Sequence, residues 1–219
     1  MTRTRLAFVF TAVVSAAGLT AAGCGGSGSA ALFNDQGDDG IAANMPALIA
    51  LGAGQMALKE SLARIDPTFS LTTPRPNVSA AGNSTNGAIT LDFGSSTSSG
   101  TVINEVRYRG ELEATYVSAG SSATVNIDFT TLTAEDDYLG QTEVSGTLTY
   151  SVTIGTGTAS GSITGDVGVD SASQLNDFEP QNLTFTLTDS TDRMVHSGTS
   201  EVVSTLFGDW NLSYGNLAT

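Results

Sequence analysis

Cysteine, lysine and histidine each occur once in the 219 residues, as Cys24, Lys59 and His196. A single thiol forbids an intramolecular disulfide, and one thiol with one imidazole falls short of the four nitrogen and sulfur donors of a structural zinc site. Nucleophilic catalysis is equally undersupplied. Asp189 and Asp192 precede His196 and Ser197 follows it, but neighbours on a strand point to opposite faces, so His196 and Ser197 cannot form a dyad. His196 therefore reads as a surface or edge-strand residue. Basic residues number 8 against 22 acidic ones, a formal net charge of −14. Nucleic acid, which needs a basic stripe to neutralise phosphates, is excluded as a partner. No Walker loop, dinucleotide fingerprint or Gly-x-Ser-x-Gly elbow is present, so no cofactor is expected and the chain is not read as an enzyme.

Long apolar runs are scarce too, and the one that exists is at the start. Arg3 and Arg5 precede an uncharged, mostly apolar stretch from Leu6 to Gly23, which closes as Leu19-Thr20-Ala21-Ala22-Gly23-Cys24. Small residues before a lone cysteine resemble the lipobox of bacterial lipoproteins, departing from it at Ala21, where leucine is commoner. The resemblance is confined to these first two dozen residues. It implies that residues 1–23 are a signal peptide and that Cys24 is lipidated and becomes the first residue of the mature chain. Two acyl chains, at roughly 0.8 kcal/mol per buried CH₂, hold a protein on a membrane durably. Gly25 in place of an aspartate after Cys24 favours the outer membrane if the cell is Gram-negative. Removing 1–23 also removes Arg3 and Arg5, leaving six basic residues against 22 acidic ones. Attraction to anionic lipid contributes nothing, so attachment rests on the acyl chains.

Residues 24–40, Cys24 followed by Gly25-Gly26-Ser27-Gly28-Ser29 and an acidic stretch, have the composition of a lipidated cysteine on a flexible tether, and 41–219 are expected to form a single β-rich domain. Asp35, Asp38 and Asp39 among glycines are weak calcium candidates, but an EF-hand frame from Asp35 puts Gly37 third and Pro46 twelfth, so a solvated acidic linker is the preferred reading. Glu135, Asp136 and Asp137 form a second weak calcium candidate, read first as an acidic hairpin loop. No metal site is assigned.

A helix is predicted over about 44–65, with Asn44 as cap, Pro46 in the first turn and an apolar stripe through Ile41, Met45, Leu48, Leu51, Leu58, Leu62 and Ile65. Gly52 and Gly54 each weaken it by ~1 kcal/mol relative to alanine, which allows a break near Gly54. Beyond Pro74 the period changes to two. About eight strands follow, among them Val106–Tyr116, with Arg107, Arg109, Glu111 and Glu113 on its wet face. Gly110, Gly146, Gly161 and Gly198 each stand early in a strand, where a bulge or bend suits them.

The predicted fold is mainly β: a curved antiparallel meander or partly closed barrel of about eight strands with one N-terminal helix packed on it. Two functions are compatible with that. The preferred one is a non-catalytic structural or interaction module in the cell envelope, with an envelope protein as partner; the other is a carrier of an apolar ligand such as a lipid, held between sheet and helix. Phe93, Tyr108, Phe129, Tyr150, Phe185 and Trp210 are bulky enough to close a core, which favours the first.

Overall fold

The computed structural model describes residues 36–69, 76–95, 100–129, 131–137, 139–189, 193–206 and 208–218. Alternation drives the architecture. In β5 (Glu111–Ala119) Leu112, Ala114 and Tyr116 are buried while Glu111, Glu113 and Thr115 face water, and β6 (Ser122–Asp128) repeats this with Ala123, Val125 and Ile127 inside. A strand with one apolar face gains from continuing that face across its neighbours. The same logic extends through β1 (Asn77–Gly82), β2 (Asn86–Asp92), β3 (Thr101–Ile103), β4 (Val106–Arg109), β7 (Leu132–Asp136), β8 (Gly140–Gly155), β9 (Thr158–Asp170), β10 (Asn176–Pro180), β11 (Leu183–Thr188), β12 (Arg193–Ser204) and β13 (Gly208–Ala218). Together they make one antiparallel sheet of 13 strands bent into a partly closed ring.

Several of these segments are halves of one run. β8 pairs with β7 over its first residues and with β6 further on, and β9 pairs with β11 and then β10. Joining β2 to β3, β4 to β5, β6 to β7 and β10 to β11 turns the sheet into a meander in which each run pairs with the next along the chain. The fold class is the one predicted, with more strand than the expected eight. β1 escapes a pattern search because Asn77, Ser79, Ala80, Ala81 and Gly82 are exposed and small or polar, with no apolar alternation.

The breaks line up across the sheet. Gly110, Gly146 and Gly198 have φ of 90°, 97° and 122°, a region that suits glycine. A Cβ at each would run into a backbone oxygen of the adjacent run, that of Thr131, Asp166 and Asn182 respectively. Gln181 and Asn182 both donate their N–H to the Thr199 carbonyl, two residues opposing one as in a bulge. Recurrent bulges along one transverse line let strands as long as the 16-residue β8 curl into a ring. Gly161 does not bend its strand; it lies against the Ser151 carbonyl, where only a bare Cα fits.

Inside the ring runs α1 (Gln36–Ile65), 30 residues and about 45 Å long at ~1.5 Å per residue. It starts eight residues before the predicted cap at Asn44, so residues 36–40, expected in the tether, are helical, and Pro46 lies within the helix. No break occurs at Gly54. The single apolar stripe is also superseded: strands from β2 round to β12 contact α1, and residues on every side of it are buried, including Gln55, Lys59, Glu60 and Ser61. Leu48, Met56, Ala63 and, at the C-terminal end, Ile65 are its partly buried hydrophobic members.

Gly52 and Gly54 are where the sheet needs room. A Cβ on Gly52 would sit 2.8 Å from Tyr108 Oη, and one on Gly54 2.7 Å from Tyr150 Oη. Tyr108 Oη donates to the Ile49 carbonyl at 2.9 Å, whereas Tyr150 Oη is buried without a hydrogen-bond partner among the described residues. Gly54→Ala is expected to destabilise by ~1–3 kcal/mol through overpacking, less the ~1 kcal/mol gained in helix propensity. In a Tyr150→Phe background, which removes the hydroxyl in the way, the same change should stabilise. Urea unfolding of this four-member cycle checks the coupling; additive effects would show that the hydroxyl and the glycine do not compete for the space.

Candidate functional site

Cys24 and Asp35 lie outside the described residues. Asp38 and Asp39 belong to the first turns of α1, which corrects their placement in a calcium-type loop: a helical backbone commits its carbonyls to i→i−4 bonds, and such a loop needs them free. Glu135, Asp136 and Asp137 do not form the expected loop either, since Glu135 and Asp136 are in β7. Arg107 and Arg109 on β4 are brought to Glu135 by the β4–β7 register. Arg109 Nη1 bonds Glu135 Oε2 at 2.8 Å, with Arg107 Nε 3.9 Å away. Exposed pairs of this kind contribute ~0–1 kcal/mol. Asp136 Oδ1 accepts the Leu139 N–H at 2.9 Å, closing the β7–β8 turn. Glu111 and Glu113 continue the same outer face on β5. Among the described residues no three His, Cys, Asp or Glu side chains converge as metal ligands.

His196 is not a surface residue. It is 0 % exposed on β12, opposite Phe185 of β11 and Leu217 of β13, and so belongs to the inner face. Ser197 pairs with the exposed Thr184 and faces outward, across a register shift that separates it from His196. The two side chains are on opposite sides of the sheet.

The interior between sheet and helix is occupied by protein. Tyr108, Tyr150, Phe93, Phe129 and Phe178 are fully buried around α1, and Tyr150 packs edge-on against Phe185 with ring centroids 5.4 Å apart. An open depression of about 420 Å³ lies not here but at one end of the ring, where Asp66 and Thr68 after α1 meet Gly120, Ser121, Ile154 and Thr156 of two hairpins.

The opposite end is organised by polar side chains. Gln174 Nε2 donates to Asn176 Oδ1 at 2.6 Å and to Ser204 Oγ at 3.2 Å, and Asn176 Nδ2 donates to the Val169 carbonyl at 2.8 Å. All three residues are buried. The network ties residues 171–175 to the β12–β13 turn, with Thr205 N–H donating to the Leu175 carbonyl. On top stand Leu175 and Leu206, 55 % and 66 % exposed. Sequence reasoning missed this group; a signal was there in Leu175, which interrupts the otherwise polar stretch Ser173-Gln174-Leu175-Asn176. No family model, curated protein or solved structure matches the chain.

On the outer face near that end, Asp177 has its carboxyl pushed up by burial and by Asp166 and Asp170 on the neighbouring strand. A carboxyl raised on folding favours the protonated form, so its contribution is full below the unfolded pKa and is lost as pH rises through the folded value. At neutral pH the ionised Asp177 is a liability. Asp177→Asn should give a small rise in Tm at pH 7, limited by solvent screening at this exposed site, that disappears below the ordinary carboxylate range. Thermal melts across pH check it; an equal shift at all pH values would remove the electrostatic cause.

Proposed function

We propose that this chain is a lipid-anchored protein of the cell envelope, held through acyl chains on Cys24, whose folded part is a non-catalytic structural or interaction module. Support for a module rather than a carrier comes from the ring's interior, where α1 and the buried aromatics take the space a lipid would need. The outer faces of the strands support a domain standing in water, for they carry Thr, Ser, Asn and acids, the reverse of a lipid-facing barrel. Gly25 after Cys24 directs the proposal to the outer membrane in a Gram-negative cell. Contacts to an envelope partner are then made by the polar outer faces, the sheet edges or the ends of the ring.

Two measurements test this. Cys24→Ser should move the protein from the membrane to the aqueous fraction; unchanged partitioning would defeat the anchor. The chain purified from its native membrane should carry no stoichiometric lipid in native mass spectrometry once its own acyl chains are counted. It should also gain no stability from fatty acids, whereas a carrier with ligand at 100 times Kd would gain about 2.7 kcal/mol. One bound lipid per chain would replace the module by the carrier.

A further inference from the structure

The two ends of the ring differ in kind. Tyr108 of β4 meets Ile49, Tyr150 meets the helix farther along at Gly54, and Asp66, just past the helix, lies beside the hairpins at 120–121 and 155–156. The helix therefore enters at the other end, beside the turns that follow Ile103, Asp136, Asp170 and Ser204, which the strand registers bring together. Cys24 precedes Gln36 by 12 residues, a reach of at most ~40 Å at full extension. Whatever surface holds Cys24 thus faces the end that carries Leu175 and Leu206.

These leucines are not on a slack loop. Gln174, Asn176 and Ser204 are buried beneath them and hydrogen-bonded, and the Leu175 N–H bonds Thr205 Oγ1 at 3.0 Å. Two exposed leucines held side by side on a fixed platform make an apolar spot suited to contact with an apolar phase. At the far end Val117 of β5 is 62 % exposed but stands alone, beside turns formed among the described residues by Asn83, Ser84, Thr85, Gly120, Ser121, Thr156 and Gly157.

We propose that the ring end bearing Leu175 and Leu206 rests on the bilayer that holds Cys24, with both leucines entering its interfacial layer. The inference rests on the reading of Cys24 as acylated. It replaces a freely tumbling domain by one standing with its axis across the membrane plane and its far hairpins directed outward. Glu105, Asp137 and Asp209 on or beside the same turns are exposed, so the contact favours zwitterionic over anionic headgroups.

The test uses the full chain, acylated and reconstituted in phosphatidylcholine vesicles, with acylation of Cys24 established by mass. Leu206→Cys and, separately, Ser121→Cys carry a polarity-sensitive fluorophore on the sole free thiol. Emission at 206 should be blue-shifted and several times stronger than at 121, be quenched by a lipid-borne quencher, and fall by half or more with Leu175→Ser. Replacing part of the lipid by an anionic species should weaken it at low salt. Equal signals at 206 and 121 with Cys24 acylated would overturn the docking and leave the anchor standing. A native-membrane protein whose mass shows Cys24 unmodified, together with a response at 206 retained in a Cys24→Ser chain, would keep the docking and end the anchor reading. A response that needs an added envelope protein and is absent on lipid alone would overturn the proposal in favour of a protein partner.

Discussion

The packing of α1 inside the ring is the constraint on which the rest depends. A sheet that curls this far turns a whole apolar wall inward, and that wall is stable only if something fills the space it encloses. The filler has to be thin where the wall is thick. Tyr108 and Tyr150 reach toward the axis, and the helix meets them with Gly52 and Gly54, positions that lower its intrinsic propensity and raise its fit. Because the wall surrounds the helix, polar residues such as Ser61 are carried into the interior, where its Oγ bonds the Ala57 carbonyl at 2.8 Å.

The same arrangement bears on what the protein does. A filled interior leaves the outside to make the contacts, and the outside is uneven. Its walls are polar and acidic, its far hairpins small and polar, and its near end carries two leucines held by a buried amide and hydroxyl network. Features that suggest chemistry in the sequence dissolve into structure: Arg107, Arg109 and Glu135 are a cross-strand ion group, and His196 is part of the inner wall.

Much of the fold was legible because period-two alternation is a local signal. Val106 to Tyr116 reads as a strand whether or not its neighbours are known, and the recurring glycines at 110, 146 and 198 announce bends that the structure places on one line. What was not legible depended on partners distant in sequence. Nothing near Gly54 reveals that Tyr150 needs its hydrogen-sized side chain, and nothing around His196 reveals that α1 and the curled sheet take that face from water. The helix start was missed because Asp38, Asp39 and Gly40 are poor helix formers, yet they belong to α1. The leucine end escaped notice because Gln174 and Asn176, which support it, read as loop residues until Ser204 is brought beside them.

The chain order of the ring has a kinetic side. Each run pairs with its neighbour in sequence, so the sheet grows by hairpins and needs few distant encounters, whereas α1 must meet strands as far along as β12 (Arg193–Ser204). A chain made from its N-terminus releases the helix first and the strands that complete its surroundings almost last. Its apolar flanks stay open for nearly the whole of synthesis. A helix weakened by two mid-sequence glycines tolerates that delay well, because it has little tendency to persist as an exposed apolar rod before the wall arrives to enclose it.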